Sequence, residues 1–277
     1  MSRSPGGHAT MFPHALQLPP RQDRPRTRGL TMVIDNGLPS RLFADTMADF
    51  GHLVDLVKFG WGTALVTPRL SRKTAVLNDL GIPYMFGGTL FEKFVAQDRV
   101  EGYVALCRNH ECPYVEVSNG TIDLSASRKA GFIEKLAAEF TVISEVGFKD
   151  QPRSELLSPS QWIDAIRDDL SAGASRVILE ARESGSSGIC RPDGQLRIGL
   201  IEDILRAGFD TEKLVFEAPN KALQTYFVRR VGPEANLGNI APRDLAAVET
   251  LRLGLRADTL LDDPLPRHAS EDTHEDR

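Results

Sequence analysis

The chain is poor in the residues that would signal several common chemistries. Three cysteines in 277 residues, Cys107, Cys112 and Cys190, are too few for a disulfide scaffold, and they form no CxxC pair of the zinc or thiol-redox kind. No run approaches the ~18 consecutive apolar residues of a membrane helix, and no apolar signal-peptide core is present. GxGxxG and Walker sequences are absent, which removes the standard dinucleotide and P-loop sites. The six histidines (His8, His14, His52, His110, His268 and His274) fall in the terminal segments or in helix-like stretches away from strand ends. A histidine triad or histidine-rich metal site is therefore not expected. With 33 Lys and Arg against 38 Asp and Glu, the net charge of −5 argues against a nucleic-acid partner. The reading is a cytoplasmic protein with reduced thiols and no membrane partner.

Charge is unevenly distributed. Residues 1–28 hold five arginines (Arg3, Arg21, Arg24, Arg26 and Arg28) against Asp23, are rich in Pro and Gly, and show no apolar period. The prolines spoil the amphipathic helix of an organelle transit peptide, so this segment reads as a disordered tail. Residues 261–277 form a second tail, with six acids against two arginines from Asp262 onward. One domain, residues 29–260, lies between them.

Within that domain, short apolar runs alternate with helical patterns. The strand-like runs are Leu30–Asp35, Leu53–Lys58, Pro83–Phe86, Pro113–Val117, Thr141–Val146, Ser175–Glu180, Lys213–Glu217 and Ala235–Leu237. They are short and rich in β-branched residues, as buried parallel strands are. Phe132, Ile133, Leu136, Ala137 and Phe140 mark one buried helical face; Trp162, Ile163, Ile166 and Leu170 mark another; Leu245, Val248, Leu251 and Leu255 a third. Gly81, Gly173 and Gly208 stand where helix C-caps are needed. Eight such units, without a phosphate fingerprint after the first strand, predict an α/β fold of the (β/α)8 TIM-barrel type rather than an open doubly wound sheet.

A barrel of this kind builds its site at the C-terminal ends of its strands. Those ends read Asp35; Lys58; Gly87-Gly88-Thr89; Glu116 with Ser118 and Asn119; Glu145 with Lys149; Glu180 with Arg182, Ser184 and Gly185; Glu217; and Asn239. Asp35, Ser118, Asn119 and Ser184 also suit simple turn and cap roles. The glutamates are harder to explain that way, since a carboxylate at the end of an apolar strand is partly desolvated and needs a cation. Glu145, Glu180 and Glu217 end three consecutive strands, ~4.8 Å apart in a sheet, and could converge on a hard cation such as Mg2+. Lys58, Lys149 and Arg182 add positive charge for a small anionic substrate. With histidine misplaced and Cys190 read as a spectator, lysine is the expected proton carrier, its pKa lowered by burial and neighbouring cations.

Seven segments carry a resemblance that spans about residues 28–260. They are KFGWGT (Lys58–Thr63), GGTLFE (Gly87–Glu92), VEVSNGTI (Val115–Ile122), SEVGFKD (Ser144–Asp150), EARESGSSGI (Glu180–Ile189), FEAPNK (Phe216–Lys221) and NLGNI (Asn236–Ile240). In this order they resemble the phosphosulfolactate synthase family. The chain departs from it at both tails and at Phe148, where a smaller or polar residue is expected.

The resemblance implies a Mg2+-dependent carbon–sulfur lyase that adds sulfite to phosphoenolpyruvate, giving (2R)-phospho-3-sulfolactate, the step that opens coenzyme M synthesis in methanogens. It also implies a homo-oligomer. On that reading Lys149 is the expected proton donor, with Lys58 as runner-up, and Arg182 holds an anion. Asp35, Gly87, Gly88, Thr89, Ser118, Asn119, Ser184, Gly185 and Asn239 surround the substrate, and Glu145, Glu180 and Glu217 hold Mg2+. Two other readings stay open: a related barrel lyase adding another nucleophile to a phosphorylated enol acid, and a non-catalytic barrel with a stress or interaction role. The intact set of charged strand ends speaks against the last.

Overall fold

In the computed structural model of the chain, which describes residues 16–182 and 187–262, all eight expected strands are present. They are β1 (Thr31–Asp35), β2 (Leu56–Phe59), β3 (Tyr84–Phe86), β4 (Tyr114–Val117), β5 (Thr141–Val146), β6 (Arg176–Leu179), β7 (Leu214–Glu217) and β8 (Leu237–Ile240). Every pairing is parallel, in the order β3-β2-β1-β8-β7-β6-β5-β4. The outermost strands, β3 and β4, pack against each other, so the sheet closes into a nearly complete (β/α)8 barrel with helices outside.

The last strand differs most from its sequence reading. Ala235–Leu237 is shifted to Leu237–Ile240, because Gly238 and Asn239 are weak strand formers that hide a strand from a propensity argument. The ladder to β1 also slips between Thr31 and Val33, and Asn239 sits there at φ 53°. In the helical segments the expected faces are buried through Ile133 and Leu136, Trp162 and Ile166, and Leu245, Val248 and Leu251. Ala137, the last residue of its helix, is exposed, and so is Leu255, because its helix stops at Arg252.

Strand parity organises the barrel interior. Met32, Leu56, Met85, Ile143, Ile178 and Val215, with Tyr114 against them, fill a small core inside the ring. Two residues further along each strand is one step up the same face. Those positions are Ile34, Lys58, Gly87, Glu145, Glu180, Glu217 and, on β4, Glu116, and all seven line the cavity at the C-terminal mouth. The interior is thus an apolar floor under a charged ceiling. The opposite face of each strand packs under the helices, where Val33, Val57, Val115, Val177 and Phe216 join the main core.

The described part of the N-terminal tail departs from the expectation of disorder. Arg21 Nε lies 2.9 Å from Glu249 Oε1, and Arg26 Nη1 lies 3.2 Å from Asp55 Oδ1. Arg24 donates to the carbonyls of Gly51 and Gly81 at 3.1 and 2.6 Å. The segment docks chiefly through guanidinium groups, with Pro19 also buried, and has no apolar period, so a search for hydrophobic period could not find it. Residues 1–15 and 263–277, the outer parts of the two tails, lie outside the described residues.

Candidate active site

The mouth holds a cavity of about 500 Å3 lined by residues from every strand end. Its floor is a cluster of buried charge. Glu116, Glu145, Glu180 and Glu217 are each at most 1% exposed, with Lys58 at 4%. Lys58 Nζ stands 3.3 Å from both Glu116 Oε2 and Glu217 Oε1. Lys149 Nζ stands 3.0 Å from Glu145 Oε1 and 3.6 Å from Glu180 Oε2, and donates to Thr89 Oγ1 at 3.3 Å.

Local chain geometry explains how these groups meet. Glu217 is fixed by hydrogen bonds from the Ala181 amide, at 3.0 Å, and from the Asn239 side-chain amide. Glu180 Oε1 accepts from the Arg182 amide at 2.5 Å, while Arg182 itself is an exposed rim residue whose guanidinium donates to the Lys149 carbonyl at 3.1 Å. Gly88 is required by close approach, since a Cβ there would lie 2.7 Å from Glu116 Oε1 and closer still to Ser118 Oγ.

Carboxylate oxygens of Glu145, Glu180 and Glu217 lie within 4.8 Å of one another, so the trio can hold a metal ion. The lysines already balance much of this charge: Glu116 Oε2, Glu145 Oε1 and Glu180 Oε2 each face an ammonium, at 3.3, 3.0 and 3.6 Å. Glu116 Oε1 is buried and accepts no hydrogen bond among the described residues, a cost that a bound cation or ligand would offset.

The electrostatics follow from crowding like charges out of water. Burial pushes the Glu116 carboxyl up to about 7, against the pull of Lys58 and with the push of Glu145. Burial and the charges of Glu217 and Glu145 hold Glu180 well above the usual carboxylate range. Burial works the same way on Glu145, but Lys149 and Lys58 outweigh it and draw that carboxyl down to about 2. The lysines contradict the expectation of a lowered pKa. Burial does act to lower both, yet Glu116 and Glu217 raise Lys58, and Glu145 and Glu180 raise Lys149. Their neighbours are carboxylates rather than cations, and the sign reverses accordingly.

Of the other expected site residues, Gly87, Gly88, Thr89 and Asn239 line the cavity. Three do not. Asp35 has the parity of Val33 and faces the helices, where Oδ2 lies 2.5 Å from Lys73 Nζ and Oδ1 accepts from the Gly37 and Leu38 amides. Asn119 turns away and donates to the Leu124 carbonyl at 3.1 Å. Ser118 lies behind Gly88, its hydroxyl donating to Glu92 Oε1 at 2.5 Å. Ser184 and Gly185 lie outside the described residues. Phe148 is also off the cavity, with the Arg153 guanidinium 4.0 Å over its ring. Cys190 is buried, and burial with the nearby Glu217 and Glu180 charges pushes its thiol to about 11, as suits a spectator.

The sequence reading gave no role to Ile34, Trp61, Thr121 and Asp150, which line the cavity, nor to Glu116, whose strand-end position it did note. For Glu116 the available signal is the step Tyr114-x-Glu116, of the same apolar-x-charged form as Ile143-x-Glu145, Ile178-x-Glu180 and Val215-x-Glu217, although Val33-x-Asp35 shares that form and leads away from the cavity. Trp61 had a weaker one, as an aromatic in a glycine-flanked loop, and is held at φ 50° with 42% exposure.

A closed parallel barrel with its charge gathered at the C-terminal mouth is the architecture of the TIM-barrel enzymes. The 3-hexulose-6-phosphate synthase crystal structure has that fold in common with this chain, at a TM-score of 0.51 and 15% identity over 83% of this chain and 99% of the other. The sequence comparisons are more specific. The phosphosulfolactate synthase of Bacillus subtilis is 45% identical over 88% of this chain and 97% of its own length. That of Methanothermobacter thermautotrophicus is 40% identical over 87% of this chain and 95% of its own. Residues 19–258 match the family described as (2R)-phospho-3-sulfolactate synthase (ComA), and the chain belongs to that family.

Proposed function

We propose that the protein is a phosphosulfolactate synthase, a carbon–sulfur lyase that adds sulfite to phosphoenolpyruvate with Mg2+ bound at Glu145, Glu180 and Glu217. The observation that carries this reading is the convergence of those three buried carboxylates with Lys149, which reaches two of them, in a chain of this family. A divalent cation there would supply a Lewis acid for negative charge on the substrate carboxylate.

The protein's own groups have distinct tasks in that reaction. Gly88 and Thr89 open the helix Gly88–Ala96 at the cavity wall, and the free amides of a first helical turn suit the phosphate group. Arg182 supplies a planar cation at the rim for phosphate or incoming sulfite. Ile34 and Trp61 give the cavity its apolar side, suited to the methylene carbon. The sulfite lone pair forms the new C–S bond at that carbon, and the alkene pair moves into the carboxylate as an enediolate. The pair then returns to form a C–H bond at the phosphate-bearing carbon, with the proton taken from Lys149 Nζ. Solvent or bisulfite restores that proton. A protonated lysine is the form a donor needs, and one fixed donor delivers to one face, which would set the 2R configuration.

Incubation of the protein with phosphoenolpyruvate, sulfite and Mg2+ should yield phosphosulfolactate by mass spectrometry. A folded protein that consumes no phosphoenolpyruvate in a sulfite-dependent way would overturn the reading.

A further inference from the structure

We infer that Glu92 is a positioning residue for Lys149, holding its ammonium and the loop after β4 in place at the mouth. The inference rests on the reading of Lys149 as proton donor and extends it to a helix residue to which that reading gives no role.

Glu92 lies one turn into the helix Gly88–Ala96, and helical side chains lean back toward the N-terminus, here toward the mouth. It is 1% exposed. A buried carboxylate requires an explanation, and its contacts supply one. Oε2 accepts from the amides of Thr121 and Ile122 at 2.8 and 3.0 Å, and Oε1 accepts from the Ser118 hydroxyl at 2.5 Å. The three donors belong to one short segment, residues 118–122, which continues from β4. Lys149 Nζ lies 3.9 Å from Oε1 of the same carboxylate, and the Lys149 amide donates to the Gly120 carbonyl at 3.0 Å. One carboxylate therefore ties the β4 loop to its helix and faces the ammonium of the residue that the β4 loop holds by its backbone.

Glu92 differs from the other carboxylates around Lys149 in a way that decides its role. Glu145 and Glu180 stand closer to the ammonium, at 3.0 and 3.6 Å, but belong to the trio that can hold a cation. With a cation there, their charge is shared. Both Glu92 oxygens are engaged by protein donors, so its charge is fixed in place and remains available to Lys149. Thr89, on the same helix, accepts from Lys149 Nζ at 3.3 Å. The helix after β3 thus contributes two contacts to the ammonium, Thr89 and Glu92, that do not come from the metal-ligand candidates.

The test pairs Glu92→Gln with Ser118→Ala. Glu92→Gln keeps an oxygen for the loop amides but removes the charge; Ser118→Ala removes one hydrogen bond and is the milder change if the first does not fold. Displacing a reacting group by about 1 Å costs on the order of 100-fold in rate. Glu92→Gln should lower kcat between ten- and 100-fold, leave KM for phosphoenolpyruvate within about three-fold, and raise the fraction of 2S product as water protonates the other face. Ser118→Ala should show the same pattern, weaker.

An activity-independent measurement accompanies it. Acetic anhydride footprinting read by mass spectrometry should label Lys149 several-fold faster in either variant, with the exposed Lys135 as internal reference. Unchanged labelling of Lys149 together with unchanged kcat and product configuration would overturn the inference. So would a fall in kcat matched by an equal rise in KM without any 2S product, which marks a purely structural role. Wild-type protein inactive with sulfite and phosphoenolpyruvate overturns the underlying reading instead, and the labelling result then stands alone as the test of Glu92.

Discussion

Lys149 Nζ lies 3.0 Å from Glu145 Oε1, although only Val146, Gly147 and Phe148 and Lys149's own stem separate a buried strand end from a cavity wall. The turn between them depends on Gly147, at φ 125°. A Cβ there would come within 2.6 Å of the Trp162 ring and 2.8 Å of Glu180 Cβ. Gly147→Ala should therefore cost about 1–3 kcal/mol in backbone strain alone, seen as a lower melting temperature. It should also reduce turnover, because both Lys149 and Glu180 must shift. A variant with wild-type melting and turnover would show that the turn accommodates a side chain.

The two buried lysines have separable roles. Lys149→Met should cut turnover by about 100-fold or more, the scale of lost general acid catalysis, while phosphoenolpyruvate still binds. Lys58 is held between Glu116 and Glu217, at 3.3 Å from each, and is expected to affect stability and substrate affinity more than proton transfer. Parallel measurement of kcat and KM decides the matter. If Lys58→Met shows the large kcat loss and Lys149→Met stays within a few-fold, the assignment of the donor is reversed.

Chelation addresses the glutamate trio. EDTA should abolish activity and Mg2+ restore it, and isothermal titration should detect Mg2+ binding that weakens in Glu180→Gln and Glu217→Gln. The binding measurement does not depend on turnover. Full activity in chelator, with no Mg2+ heat, removes the metal from the site.

Asp35 and Lys73 form a buried pair that is expected to bear on stability rather than on turnover. Both side chains are 1% exposed, and their contact is 2.5 Å. Breaking a buried ion pair from one side costs about 3–5 kcal/mol. Lys73→Met should lower the denaturation midpoint by a corresponding amount while KM and kcat of the remaining folded protein stay near wild type. A selective change in KM would return Asp35 to the site.

The N-terminal arginines carry a similar cost. Arg26→Ala leaves the carboxylate of Asp55, whose side chain is 7% exposed, without its guanidinium, although the Thr31 amide still donates to it at 2.8 Å. A loss of about 3 kcal/mol is expected, measurable by chemical denaturation. No change would mean that the segment from Arg21 to Arg28 contributes little to holding the barrel floor.

Alternation of short apolar runs with helical periods was enough to give eight parallel strands and a barrel, because each element announces itself through its own local pattern. The convergence of Glu145, Glu180 and Glu217 was legible for the same reason, since three consecutive strands of a parallel sheet must place their ends side by side. Which way a side chain points was not legible. Parallel barrel strands are buried on both faces, so their sequences carry no polar alternation to mark inside from outside. Asp35 and Glu217 therefore look equivalent as strand-end carboxylates, yet one pairs with a helix lysine and the other faces the cavity. The sign of the lysine shifts was hidden too, because it depends on which charges fold around each ammonium. Glu92 and the arginine segment belong to the same category: their partners lie tens to hundreds of residues away, in Thr121, Asp55 and Glu249. Local pattern determined the elements and their order; register, parity and long-range charge pairing, which exist only once the barrel closes, decided what the site contains.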